Sequence, residues 1–178
     1  MSNLDQRQLG SYAPSDVVVV ISQESTGFTH QVVGFAEDSF IQLTRDAESW
    51  THSTGSDGYA TRVHNINGSG KVTLELMQSS PSNDVLSAIW NRDRVFKNNS
   101  GLFSITIKDG SGRSIARSDQ AYVSVFPDQT YGSSVNNNSW IISAANLERY
   151  IGGNSLASGD TVDTLAALET TISDEWKF

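Results

Sequence analysis

The sequence predicts a mainly β protein, an antiparallel β-barrel or sandwich with one flanking α-helix near residues 81–93 and an appended C-terminal segment. Three observations carry this. Short apolar runs with the period of a half-buried strand recur along the chain, such as Val72, Leu74 and Leu76 alternating with Thr73, Glu75 and Met77. These runs are separated by turns of Gly, Asn, Asp and Ser, among them "NGSG" at 67–70 and "DGSG" at 109–112. One central stretch, "SSPSNDVLSAIW" (79–90), switches period and places Val85, Leu86, Ile89 and Trp90 on one helical face.

In chain order, residues 17–21 are a β-branched run behind Pro14, which stops any helix. Residues 31–36 and 40–45 read as a hairpin through "EDS". Residues 60–66 and 71–78 flank "NGSG", where Asn67 and Gly68 tolerate the positive φ of a tight turn. Alternation in that hairpin turns Val63, Val72, Leu74 and Leu76 into the core. Arg62, His64, Thr73 and Glu75 then fall on the other face. Residues 102–108 and 113–118 flank "DGSG", and residues 120–126 and 140–146 bring the count to about eight or nine strands. The helix between them takes Ser80 as its N-cap, Pro81 as its first residue and Asp84 in its first turn, where a carboxylate suits the positive end.

Two stretches do not read as core. Residues 44–60 are a polar excursion longer than a hairpin turn needs. Residues 150–178 open with "IGGNSLASGD" and then set Val162, Leu165, Leu168 or Glu169, Ile172 and Trp176 near helical spacing. That tail has five acids and one base, so it suits docking on a neighbour or lying in solvent. The expected division is a β domain over 1–149 and an extension over 150–178.

The chain has 12 Lys and Arg against 20 Asp and Glu, a formal net charge of −8. Such a balance disfavours a surface that grips phosphates, which requires clustered cations, and permits one that repels nucleic acid. There is no cysteine, hence no disulfide and no thiolate metal site. The first residues lack the apolar run of a signal peptide, and no apolar run approaches the roughly 20 residues that span a membrane. Cytoplasmic synthesis and folding are therefore expected.

No catalytic, cofactor-binding or metal-binding set emerges. His30, His52 and His64 lie in no ligand spacing, and "GSGKV" lacks the first glycine and the Ser or Thr of a phosphate loop. There is no GxSxG elbow. Adjacent carboxylates such as Glu37 and Asp38 point to opposite faces if they lie in a strand. The expectation is a protein that is not an enzyme. A second reading from another class is a monomeric β-sandwich binding a carbohydrate or receptor, with Trp50, Trp140 and Tyr59 as stacking platforms.

Four stretches in succession carry a resemblance: "YAPSDVVVVI" (12–21), "VVGFAEDSFIQLTRD" (32–46), "GSDGYATRVHNINGSGKVTLELMQSSPSNDVLSAIW" (55–90) and "GLFSITIKDGSGRS" (101–114). Together they resemble the tail tube proteins of contractile-tailed bacteriophages, which are similar to secretion-system tube proteins. The resemblance covers roughly residues 11–145. It implies a subunit that forms homohexameric rings stacked into a hollow tube, with the helix flanking a barrel whose other face lines the channel. The implied partners are further copies of the chain, a tail sheath protein, a tape-measure protein in the lumen, and baseplate and tail terminator proteins. DNA would transit without specific binding, and no membrane or cofactor is implied. The implied location is the virion tail, assembled in the host cytoplasm. On this reading Glu75, Glu37 and Asp38 are candidate lumen-facing acids. The candidate contact between stacked rings is Ser49, Trp50, Thr51, His52, Ser53, Thr54, Gly55 and Ser56.

Overall fold

A computed structural model describes residues 9–38 and 40–177. The strands are β1 (Val17–Gln23), β2 (Phe28–Gln31), β3 (Ile41–Arg45), β4 (Trp50–Thr54), β5 (Ala60–His64), β6 (Gly70–Met77), β7 (Phe103–Asp109), β8 (Ile115–Val125), β9 (Asn137–Ala144) and β10 (Glu148–Tyr150). The helices are α1 (Ser82–Phe96) and α2 (Gly159–Ala167). The strands β2-β1-β7-β8-β9-β6-β3 form one sheet in that order, with β10 added on β8, and β4 and β5 pair separately. The path has two free ends, β2 and β3, so the expected alternatives resolve in favour of an open, sandwich-like sheet over a closed barrel.

The alternation read in residues 71–78 decides where the core lies. Val72, Leu74 and Leu76 of β6 have no exposure at all, and β9 opposes them with Ile142, Trp140 and Asn138. Val19 and Ile21 of β1, Phe103, Ile105 and Ile107 of β7, and Ala121 and Val123 of β8 are also buried. Burial of this kind, at about 25 cal/mol per Å² of apolar surface, is the main term that holds such a sheet together.

Helix α1 contributes Ser82, Leu86 and Ile89 to the same core, at the i, i+4, i+7 spacing of one face. It starts one position later than expected, with Pro81 at the N-cap position. Ser80 instead donates its hydroxyl to the carbonyl of Val33 and accepts from the amide of Ser82 (3.2 Å). Ser82 Oγ accepts from the amide of Val33 at 2.9 Å. These bonds tie the helix start to residue 33 from both sides. Asn83 extends the tie: its Nδ2 donates to the carbonyls of Met77 (2.9 Å) and Ser80 (3.1 Å), and its Oδ1 accepts from the indole N–H of Trp140 (2.9 Å).

Several expected pairings form differently. The hairpin through "EDS" is absent. Gly34 sits at φ +74, where a Cβ would lie 2.6 Å from that of Ser80, and this ends the predicted strand over 31–36. Residues beyond it still follow the edge of β6: the Met77 amide donates to the carbonyl of Gly34 (2.8 Å), and Phe35 bridges to Leu76. Strand β3 then continues along the same edge, Ile41 opposite Leu74. Residues 37–38 arch out between two stretches of one edge, and Ser39 lies outside the described residues.

The "NGSG" hairpin is also absent. Strand β5 pairs with β4, while β6 is flanked by β3 and β9. Residues 65–69 form successive Asx turns, with Asn67 N donating to Asn65 Oδ1 (3.0 Å) and Ser69 N to Asn67 Oδ1 (2.9 Å). Val63 is therefore not core but 49 % exposed. By contrast, the strands flanking "DGSG" are neighbours as expected, and the separate strands expected at 113–118 and 120–126 are one long β8.

A second compact unit comprises, among described residues, 9–18, 108–115 and 150–177. Asn154 is its hub: its Nδ2 donates to Asp109 Oδ2 (3.2 Å) and to the carbonyl of Ser11 (3.4 Å). Arg113 donates to the carbonyl of Ser155 (2.6 Å), and its guanidinium lies 5.5 Å from the ring centroid of Trp176. The Ala157 amide donates to the carbonyl of Trp176 (2.7 Å), with Ala157 and Ile172 the buried apolar residues. Helix α2 begins at an N-cap, Ser158, whose hydroxyl accepts from the amide of Thr161, and it buries no side chain.

Candidate functional site

Alternation along β6 fixes two faces. One is the apolar core face, and the other carries Lys71, Thr73, Glu75 and Met77. Neighbouring strands extend the second face in register. Gln42 of β3 and Ile141 of β9 flank Thr73, Ser139 is opposite Glu75, and Asn137 is opposite Met77. Ser143 is opposite Lys71 on one side and Tyr122 of β8 on the other. The outcome is a broad, mostly polar and uncharged sheet face crossing four strands.

Glu75 is held rigidly within it. Its amide donates to the carbonyl of Phe40 and its carbonyl accepts from the amide of Ala36, both at 2.9 Å. The acidic arch of Glu37 and Asp38 therefore springs from either side of Glu75. A groove of ≈ 610 Å³ is lined by Asp38, Glu75, Gln42, Thr73, Asn137, Ala36 and Ile41. The fold thus brings Glu75 and Asp38 to one groove, while Glu37 is exposed beside it and is not part of its lining. The ion pairs among the described residues lie elsewhere, Arg117–Asp119 and Lys177–Asp174. The hydrogen bond from Lys177, with its charge, holds the Asp174 carboxyl below the usual range, and Asp119 raises the Arg117 guanidinium in the same two ways.

The polar excursion is a free two-stranded ribbon. Strands β4 and β5 pair from Trp50 opposite His64 to Thr54 opposite Ala60, and every residue in both is exposed. One face is a stack in which the Arg62 guanidinium lies 3.7 Å from the Trp50 centroid and the His64 ring 4.6 Å from it. At the tip, Gly58 has φ +82, the Gly55 amide donates to the carbonyl of Tyr59 (2.8 Å), and Tyr59 is 79 % exposed. The base is clamped by Asn65 N to the carbonyl of Ser49 (2.9 Å) and by Arg45 Nη1 to Ser49 Oγ (2.8 Å). Of the expected contact residues, Ser49 lies at the base, Trp50, Thr51, His52, Ser53 and Thr54 form β4, and Gly55 and Ser56 enter the tip. The sequence reading missed that Tyr59, Arg62, Val63 and His64 share this ribbon. The available signal was the "DG" at 57–58, a hairpin-turn dipeptide between two polar strands.

The expected aromatic set does not assemble into a sugar platform. Trp140 is 1 % exposed in the core with its N–H bonded to Asn83, while Trp50 stays exposed with Arg62 stacked on its ring. The histidines are apart in chemistry as well: His30 Nε2 meets Ser82 Oγ at 3.0 Å, His52 meets Thr54 Oγ1, and His64 stacks on Trp50. Among the described residues no group of acids and histidines could hold a metal ion, and no helix is long and apolar enough to cross a membrane.

Comparison with known proteins places the chain. The sequence profile of the bacteriophage PhiTE tail tube protein family matches residues 9–152. The chain is 39 % identical over 166 residues to structural protein ORF10 of Pseudomonas phage KPP10, covering 93 % of this chain and 96 % of that protein. Similar folds occur in the tube-terminating cap of the anti-feeding prophage (TM-score 0.53, 11 % identity, 84 % of this chain and 99 % of that one). They also occur in the sheath–tube complex of the extracellular contractile injection system PVC (TM-score 0.52, 12 % identity, 79 % and 91 %) and in the virion of a native gene transfer agent particle (TM-score 0.51, 9 % identity, 79 % and 100 %). The profile match and the KPP10 relative together identify this chain as a member of the bacteriophage PhiTE tail tube protein family, a structural component of the virion.

Proposed function

We propose that this chain is the repeating subunit of a contractile phage tail tube, forming sixfold rings that stack into a hollow conduit for the genome. The observation that carries this reading is the two-faced sheet. One face is sealed by the core with α1, and the other is polar, open and continuous over β8, β9, β6 and β3. Its free edge strands, β2 and β3, suit pairing with neighbours in a closed ring, where no edge stays open. On this reading the polar face lines the lumen, with Glu75 and Asp38 in its groove and Glu37 on the arch. A wall of polar groups and acids without clustered cations lets DNA slide without sticking.

The β4–β5 ribbon serves as the contact between stacked rings. A two-stranded ribbon alone is marginally stable in water, so its exposed stack of Trp50, Arg62 and His64 suits docking on the next ring. The sheath surrounds the tube, a tape-measure protein occupies the lumen during assembly, and terminator and baseplate proteins close the ends. The subunit acts by shape and charge and performs no catalysis.

Negative-stain electron microscopy of the concentrated purified protein tests the proposal, with hollow rings or tubes expected. A strictly monomeric species across a wide concentration range in sedimentation refutes it.

A further inference from the structure

The end of α1 is bare. Arg92, Arg94 and Lys97 are exposed around Val95 and Phe96, which are 66 % and 61 % exposed. Only one acid, Asp93, interrupts them. The cations lie along apolar surface, with Arg92 5.9 Å from the Phe96 centroid and Arg94 5.1 Å from that of Trp90. Arg92 also rims a shallow groove of ≈ 440 Å³ with Phe28, Val85, Ala88 and Ile89 in its lining. An apolar patch edged by cations fits an acidic amphipathic segment.

The chain carries such a segment. Helix α2 has nine residues, buries none of them, and has acids but no base. Leu168, just past its end, is 68 % exposed. A helix this short is marginal in water without a covering partner. We infer that α2 and Leu168 of one copy seat on the Arg92, Val95 and Phe96 face at the end of α1 in a neighbouring copy, Asp160 and Asp163 meeting Arg92 and Lys97. The inference rests on the tube reading for its assembled state. Pairing of opposite charges supplied by one sequence gives every copy both halves of the contact. It also offsets the mutual repulsion of subunits that each carry −8.

The absence of cysteine makes a direct test clean. In the full chain, Phe96→Cys with Leu168→Cys, oxidised under assembly conditions, is expected to give a ladder of covalently joined copies on a non-reducing gel. Neither single variant should exceed a dimer. Absence of a ladder, or a crosslink confined within one chain, overturns the inference. Charge reversal is the second arm. Arg92→Glu with Lys97→Glu should raise the protein concentration needed for polymerisation about tenfold, from two exposed pairs. Adding Asp160→Lys with Asp163→Lys should restore it. If wild-type tubes form and both reversed variants polymerise like wild type at low and high salt, this contact is wrong while the tube reading stands. If no wild-type tubes form, the tube reading fails, and the crosslinking result alone decides the contact.

Discussion

Replacing Asn83 with leucine removes one side chain that satisfies three groups at once. The largest loss is at Trp140, whose indole N–H is enclosed in the core and has Asn83 Oδ1 as its partner at 2.9 Å. A buried donor left unpaired costs about 1–3 kcal/mol. The carbonyls of Met77 and Ser80 lose the Nδ2 donor but keep backbone partners, the amides of Ser80 (2.9 Å) and Asn83 (3.2 Å). Their share is therefore small, about 0.5 kcal/mol each. Leucine returns about 0.5 kcal/mol through better helix propensity. The expected net loss is about 1.5–3.5 kcal/mol, read by urea unfolding of dilute, unassembled protein. Trp140→Phe removes the donor instead, and the double variant completes a cycle with an expected coupling of about 1–2 kcal/mol. A loss under about 0.5 kcal/mol, or a cycle with no coupling, refutes the claim that Asn83 holds Trp140 and the start of α1 together.

Four further outcomes are expected. Glu75→Lys or Asp38→Lys in every subunit changes a sixfold ring by about twelve charges, so tubes should bind DNA at low salt and eject slowly; Glu37→Lys should act more weakly, and normal ejection without DNA binding in all three rejects the wall assignment. Shortening residues 49–56 to a tight turn should leave unfolding within about 1 kcal/mol of wild type, because the ribbon buries nothing in its own subunit, yet stop tube growth in microscopy; normal tubes reject the ring contact. Gly34→Ala forces a Cβ against Ser80 at positive φ and should cost about 1–3 kcal/mol in the same urea assay. Lys177→Gln should return the Asp174 carboxyl toward its ordinary value in an NMR titration. Because the folded value is depressed, the stabilisation from this pair is present above the unfolded pKa and fades as pH falls through the folded one.

Local signals were legible where one segment settles its own structure. The alternation in β6 is visible in Val72, Leu74 and Leu76, and the α1 stripe in Leu86 and Ile89, since period alone separates strand from helix. The turn at Asp109 was legible because its side chain bonds the amide of Ser111 two residues on (2.9 Å). Partner choice was not. Asn67 and Gly68 have the chemistry of a hairpin turn but serve successive Asx turns, and the partners of β6 come from β3 and from β9, far along the chain. Val63 reads like Val72 in sequence, yet one lies on a bare ribbon and the other has no exposure. For the candidate site, the acids Glu75 and Asp38 were visible as acids, but the arch that joins them depends on Gly34 and its clash-free approach to Ser80.

The placement of β6 between β3 and β9 also bears on timing. During synthesis β3 and β6 emerge early, while β9 follows only after α1, β7 and β8. Closing so distant a pair, like that of β1 with β7, costs loop entropy and delays the finished sheet. Until then β6 has a naked side, and a nascent chain on a ribosome is crowded by identical neighbours on the same message. The same delay is a hazard, because the unpaired strand Lys71, Val72, Thr73, Leu74, Glu75, Leu76 is apolar on alternate positions. Lys71 and Glu75 on its other face act as gatekeepers against aggregation over that interval.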